Sequence, residues 1–220
     1  VDSKRLPARE EGPSQRQQRG IATRRALLLS ARHIFARDGF EHARLEDIAT
    51  RARKTRGAFY DNFKDKEDVF LAIFEEDLDH NLSEIGPLLR PLSTTEQRIE
   101  ALAKYLAALG ENTERMLLIV EFKLYAIRHP RRRKRMAALL KSMHLRTSIP
   151  ELNRLLPQLA GHTTRTRLMD SLAVCGVMDG LALNHLFDPE GLSRQTLARY
   201  LKLNLRETLP TRADGAAKKR

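Results

Sequence analysis

Apolar positions recur at helical spacing along almost the whole of this chain. Leu27, Ala31, Ile34 and Phe35 fall at i, i+4, i+7 and i+8, the stripe of an amphipathic helix. Gly39 follows the last periodic residue, where glycine takes a left-handed conformation cheaply and ends the helix. Leu45, Ile48 and Ala49 make one small apolar face, which predicts a short second helix from Leu45 to about Arg51. After a break at 52–54, Thr55 has an N-capping side chain, and Ala58, Phe59 and Phe63 supply the buried side of a third helix. Helix, tight turn, helix is the layout whose second member enters a DNA major groove.

From Lys66 onward no sustained alternation signals a strand. The spacing predicts helices over 66–85, 95–110, 112–128, 131–147, 151–160, 162–187 and 193–208, with prolines at 87, 91, 130, 150, 157, 189 and 210 between them. The expected fold is therefore all-α with nine to ten helices. It divides into an N-terminal three-helix helix-turn-helix domain at 19–64 and a larger helical domain at 65–210. Residues 1–18 and 211–220, rich in Arg, Gln, Pro, Gly and Lys, read as flexible arms.

Charge sharpens this picture. Residues 1–64 hold 15 Lys/Arg against 8 Asp/Glu, and residues 65–220 hold 25 against 20, so +7 of the net +12 lies in under a third of the chain. That concentration suits a module that neutralises phosphates. A general basic surface, binding acidic membranes or partners, is the alternative reading. No apolar run approaches the ~18–20 residues of a membrane span. Residues 1–20 lack the apolar stretch of a secretory leader. A single cysteine, Cys175, permits no internal disulfide and fits a reducing, cytoplasmic setting.

Catalytic chemistry finds no support. No G-x-S-x-G, phosphate loop or G-x-G-x-x-G occurs, and no cofactor or enzymatic activity is expected. The seven histidines, at 33, 42, 80, 129, 144, 162 and 185, include no pair at i, i+3 or i+4, so no helical metal clamp is expected. Arg131 to Arg135 form a basic run at a helix start, where the dipole disfavours cations; it reads as a solvated face, with contact to DNA or an acidic partner as the lesser reading.

The stretch TRRALLLSARHIFARDGFEHARLEDIATRARKTRGAFYDNFKDKEDVF at 23–70, closed by RGAFYDNF and a lysine-rich helix start, resembles the DNA-binding domain of the TetR (AcrR-like) family of bacterial transcriptional regulators. VEFKLYAIRHPRRRKRM at 120–136 and DGLALNHLFDPEG at 179–191 are similar to segments of the regulatory half of that family. The resemblance implies that Thr55, Arg56, Gly57 and Ala58 open the recognition helix and face base edges, while Tyr60, Asn62 and Lys66 reach phosphates. Arg56 has the planar fork for a guanine edge. The departures are specific. Ala52, Arg53, Lys54, Thr55 replace the usual Ala-Gly-Val followed by Ser or Thr, so Arg53 takes a position that favours glycine for its positive φ. Either that turn follows another backbone path, or Lys54 sends its ammonium to solvent or phosphate. Ala43 and Arg44 replace the usual Thr and Ser, which weakens the second helix's cap and offers Arg44 to a phosphate.

The resemblance further implies double-stranded DNA as partner, a homodimer on a palindromic operator, and release by a small-molecule effector, most often as a repressor; an activator with the same fold is the variant reading. The last two long helices would form the dimer interface, with Gly176 and Gly180 permitting close approach and Leu197, Leu201 and Leu205 at spacing four; a packed monomeric core is the other reading of the same residues. Phe122, Tyr125, Met143, His144, Met169, Cys175, Met178 and Asn184 are of the types that line adaptable effector pockets, although each type is also ordinary core.

Overall fold

A computed structural model describes residues 14–146, 150–157 and 162–209. Among them run ten helices: α1 (Gln15–Asp38), α2 (Leu45–Arg51), α3 (Arg56–Tyr60), α4 (Lys66–Leu89), α5 (Thr95–Gly110), α6 (Thr113–Arg128), α7 (Pro130–Arg146), α8 (Pro150–Leu155), α9 (Thr164–Phe187) and α10 (Arg194–Thr208). The all-helical expectation holds, and α2 has the predicted bounds.

Two boundaries differ for a local reason. Residues 15–18, read as part of an arm, form the first turn of α1. Ser14 and Gln17 close a capping box, the Ser14 Oγ accepting from the Gln17 N–H at 3.3 Å and the Gln17 Oε1 from the Ser14 N–H at 2.7 Å. The rest of that arm, 1–13, and the tail from 210 lie outside the described residues. α4 runs on to Leu89 with Pro87 inside it; in the last turn the missing N–H forfeits one bond and the helix ends two residues later. The predicted helix 151–160 is described only to Leu155, with 158–161 outside the described residues.

Gly39 stops α1, though not in the left-handed helical basin: its φ of 78° and ψ of 156° lie in a region essentially confined to glycine. A Cβ there would also sit 3.3 Å from the Glu121 carboxylate, which accepts the Phe40 N–H at 2.8 Å.

Two cores result. In the first, Leu27, Ile34 and Phe35 of α1, Ile48 of α2, Phe59, Phe63, and Val69, Phe70 and Ile73 of α4 pack with Leu118 and Phe122 of α6 and Met136 of α7. Aromatic contacts run through it, from Phe35 to Phe70 (5.1 Å between centroids), Phe70 to Phe40 (4.6 Å) and Phe40 to Tyr125 (4.5 Å). This core therefore crosses residue 64, where the sequence suggests a domain boundary. The second gathers Ile99, Ala103 and Ala107 of α5, Met178 of α9, and Leu197, Leu201 and Leu205 of α10. Gly110 lets these helices close up, since a Cβ there would meet the Ala182 Cβ at 2.8 Å.

This corrects the reading of Leu197, Leu201 and Leu205 as a dimer surface. All three are at most 2% exposed within one chain because the apolar stripe of α10 lies on α5. Gly176 and Gly180 do face outward, with nothing within 4 Å of an added Cβ.

Candidate nucleic-acid interface

The turn between α2 and α3 ends α2 by a Schellman motif. The Lys54 N–H donates to Ala49 O at 2.9 Å and the Arg53 N–H to Thr50 O at 3.0 Å, closing the last carbonyls of the helix. That pairing requires a left-handed residue at 53, and Arg53 has φ 54°, alone among the described non-glycine residues in being positive. The backbone thus keeps the turn that glycine favours, and Lys54 projects its side chain to solvent. Arg53→Gly removes ~1–2 kcal/mol of backbone strain but loosens the unfolded chain, for a net gain of roughly 0.5–1 kcal/mol. A thermal melt should rise by about 1–3 °C; an unchanged or lower Tm would mean that the arginine side chain makes contacts worth more than the strain.

Thr55 caps α3, accepting the Ala58 N–H at 3.1 Å. Arg44 occupies the N-cap of α2 without a side-chain bond to its backbone, so its guanidinium is free for another anion, and Glu46 and Asp47 answer the helix dipole instead. Arg44, Lys54, Thr55, Arg56, Gly57 and Tyr60 are exposed, Ala58 is half-buried, and Phe59 and Phe63 turn into the core. Gly57 leaves the surface open: an added Cβ would meet only the Thr55 hydroxyl, at 3.7 Å.

Arg56 does not hang loose. It pairs with Glu46 of α2 at 2.9 Å and reaches the Tyr60 hydroxyl at 3.4 Å, which extends the guanidinium along the outer face. Sequence inspection missed this pair because its members lie ten residues apart across the turn.

Two proposed phosphate ligands are engaged within the head. The Asn62 side-chain amide donates to Ala58 O at 2.8 Å, and the backbone carbonyl of Asn62 accepts from Arg24 at 2.9 Å while that guanidinium stacks over Phe63. Lys66 sends its ammonium to Glu41 O at 3.0 Å and Ala43 O at 3.2 Å, and it lies 4.8 Å from the Phe40 ring centroid. The start of α4 passes beneath the α1–α2 turn, so the nearest acceptors are that turn's carbonyls. Burial holds the Lys66 pKa below the usual lysine value.

Beside Lys66 lies a hub that joins the head to the helical body. Glu67, buried at the start of α4, accepts the Tyr125 hydroxyl at 2.6 Å and faces Arg132 and Arg135 at 3.5 and 3.4 Å. Burial, then the bond to Glu67, push the Tyr125 hydroxyl up to about 12, so it remains a donor. Glu41 meets His129 at 2.6 Å and Arg128 at 3.6 Å. Glu41, Glu67, Tyr125, His129 and Arg132 border a cavity of about 410 Å³ lined also by Phe40, Asp65 and Lys66. Glu67 was findable in principle: a carboxylate between Phe63 and Phe70 on an apolar face demands partners.

The eight pocket candidates do not gather around one cavity. Phe122 and Tyr125 belong to the first core and Met178 to the second, while Met169 is half exposed and Asn184 bonds back to Gly180 O at 2.8 Å. Between α7 and α9, the half-buried His144 approaches the α9 side on which Ser171 and Cys175 lie, its Nδ1 at 2.8 Å from the Ser171 hydroxyl, and Met143 beside it in sequence is also half-buried. Burial lowers the His144 pKa and pushes the Cys175 thiol up to about 11, which keeps it unreactive. Lys123 donates to Asp179 at 2.6 Å, leaving the buried Asp179 Oδ1 without a partner. Among the described residues no group of three or more His, Cys, Asp or Glu could hold a metal ion, and no helix is long and apolar enough to cross a membrane.

Residues 27–73 match the family described as bacterial regulatory proteins, tetR family. The transcriptional repressor BepR of Brucella suis is 45% identical over 51 residues, 23% of this chain and 24% of that protein. The transcriptional activator FasR of Mycolicibacterium smegmatis is 30% identical over 75 residues, 34% of either chain. The chain thus spans about a third or less of these curated relatives. The fold extends further: the fatty acid degradation regulator FadR from Bacillus halodurans superposes with a TM-score of 0.65 at 18% identity, covering 93% of this chain and 100% of that one. Residues 27–73 thus match the tetR family of bacterial regulatory proteins, and the chain as a whole shares the fold of the Bacillus halodurans structure.

Proposed function

We propose that the chain is a transcriptional regulator of the bacterial cytoplasm that reads a palindromic operator as a homodimer and is released from it by a small-molecule effector, acting as a repressor. The observation that carries this reading is the face of α3: Thr55, Arg56, Gly57 and Tyr60 are exposed and have no core role, while Phe59 and Phe63 behind them anchor the helix. Arg44 and Lys54 flank that face with positive charge, suited to the phosphates on either side of a major groove. Asn62 and Lys66 then serve the head as internal struts, and a phosphate would reach Lys66 only by displacing a carbonyl.

A dimer follows from two half-sites needing two readers. The outward side of α9 supports it, since Met169, Leu172, Leu183 and Phe187 are exposed there along with Gly176 and Gly180, and Tyr200 and Leu203 of α10 are exposed as well. An effector acts by binding one arrangement of head and body better than the other. Whether the outcome is repression or activation depends on where the operator lies, and BepR and FasR are named for the two outcomes.

Selection of bound duplexes from a random DNA pool at near-physiological salt tests the proposal. An enriched palindrome supports it; binding without enrichment, or binding to acidic vesicles alone, rejects it in favour of an electrostatic surface binder. Arg56→Ala is expected to relax the enriched motif at one or two base positions per half-site, a loss of about 1–3 kcal/mol in discrimination at each. Equal weakening on every sequence would assign Arg56 to the phosphates instead.

A further inference from the structure

Six of the eight residues at 128–135 are Lys or Arg, at the junction of α6 and α7. Two carboxylates hold this ridge, one in the head and one at the start of α4: Glu41 pairs with Arg128 and His129, and Glu67 with Arg132 and Arg135. The remaining cations, Arg131, Arg133 and Lys134, are exposed and have no ion pair among the described residues. They crowd the first turn of a 17-residue helix, where the dipole already disfavours positive charge. Such a cluster is relieved by an external anion.

The placement indicates which one. Glu41 lies three residues before Arg44, and Glu67 directly follows Lys66, whose ammonium grips the carbonyl of Ala43. The ridge is therefore fastened to the same edge of the head, the α1–α2 turn and the start of α4, that carries the outer phosphate contact at Arg44. We infer that Arg131, Arg133 and Lys134 form a second, sequence-independent phosphate-binding surface. It continues the head's contact onto the DNA backbone flanking each half-site, so the regulatory body itself touches DNA. The inference rests on the DNA-binding reading above. It assigns the basic run a partner by charge complementarity and by continuity with that edge, and it implies a footprint wider than the head alone covers.

Fluorescence anisotropy on a random-sequence duplex of about 40 base pairs, titrated with salt, tests it using the full chain. The variant Arg131→Ala/Arg133→Ala/Lys134→Ala changes only exposed side chains and should keep the wild-type melting curve. A control, Arg154→Ala/Arg165→Ala/Arg199→Ala, removes the same charge from exposed positions on the body. Removing one cation that neutralises a phosphate lowers the slope of log K against log salt by about 0.9, so the ridge variant should lose up to ~2.7 in slope per chain and roughly tenfold in affinity, with the control near wild type. Equal binding by ridge variant and wild type overturns the ridge and leaves the head reading intact. Equal losses in ridge and control variants also overturn it, because net charge alone then accounts for the effect. If wild type fails to bind the duplex, whether or not it binds phosphatidylserine vesicles, the ridge and the DNA reading fall together.

Discussion

Glu67→Ala is expected to lower the melting temperature by roughly 5–10 °C, corresponding to about 2–3 kcal/mol for a chain of this size. The carboxylate is 6% exposed and serves three donors at once, Tyr125, Arg132 and Arg135. Removing one partner of a buried pair costs about 3–5 kcal/mol when the other charge stays buried. Here both guanidiniums are about half exposed and rehydrate, so most of the remaining loss is the Tyr125 hydroxyl left without an acceptor. Glu67→Gln keeps an acceptor and the side-chain volume and should fall between wild type and Glu67→Ala. Hydrogen exchange would locate the damage, with amides at the start of α7 losing protection before those of α5 and α10. Wild-type stability in Glu67→Ala would mean that the hub contributes nothing to holding head and body together.

Leu201→Ala should destabilise by about 2–5 kcal/mol, the range for a fully buried leucine, and leave the oligomeric state unchanged at a fixed concentration. Its side chain is 0% exposed and packs with Leu197, Leu205, Ile99 and Ala103 inside one chain. Leu183→Asp, on the outward side of α9, should do the opposite: split the assembly in sedimentation with a small change in the unfolding of the chain itself. An exchange of these two phenotypes would mean that α10, and not α9, meets the second copy.

How much of the fold and the reading face is legible in the sequence follows from where each residue's partner lies. Side chains that answer to their own neighbours in sequence can be read: the apolar face 45, 48, 49 sets the bounds of α2, and Thr55 caps α3. The left-handed Arg53 is one of two paths that the family resemblance leaves open, and the backbone takes it. Lys66 cannot be read, because its acceptors are backbone carbonyls 23 and 25 residues away that no side-chain pattern reveals. The leucines of α10 show a different limit. A stripe at spacing four says that a face is covered, and only the fold tells whether α5 of the same chain or a second copy covers it. Pro87 misleads because the loss of one N–H bond in the last turn penalises a helix without ending it at that residue.

α4 contributes Val69, Phe70 and Ile73 to the first core and Leu89 to the second, so one helix is clamped at both ends in different surroundings. Its 24 residues make a rod about 36 Å long at 1.5 Å per residue. A tilt of about 5° about one clamp would carry the other end some 3 Å, roughly a whole hydrogen-bond length. Such a helix would act as a lever in the mechanical sense: a displacement at its far end too slight to disturb packing there would become, at Lys66, large enough to take a side chain out of reach of its partner.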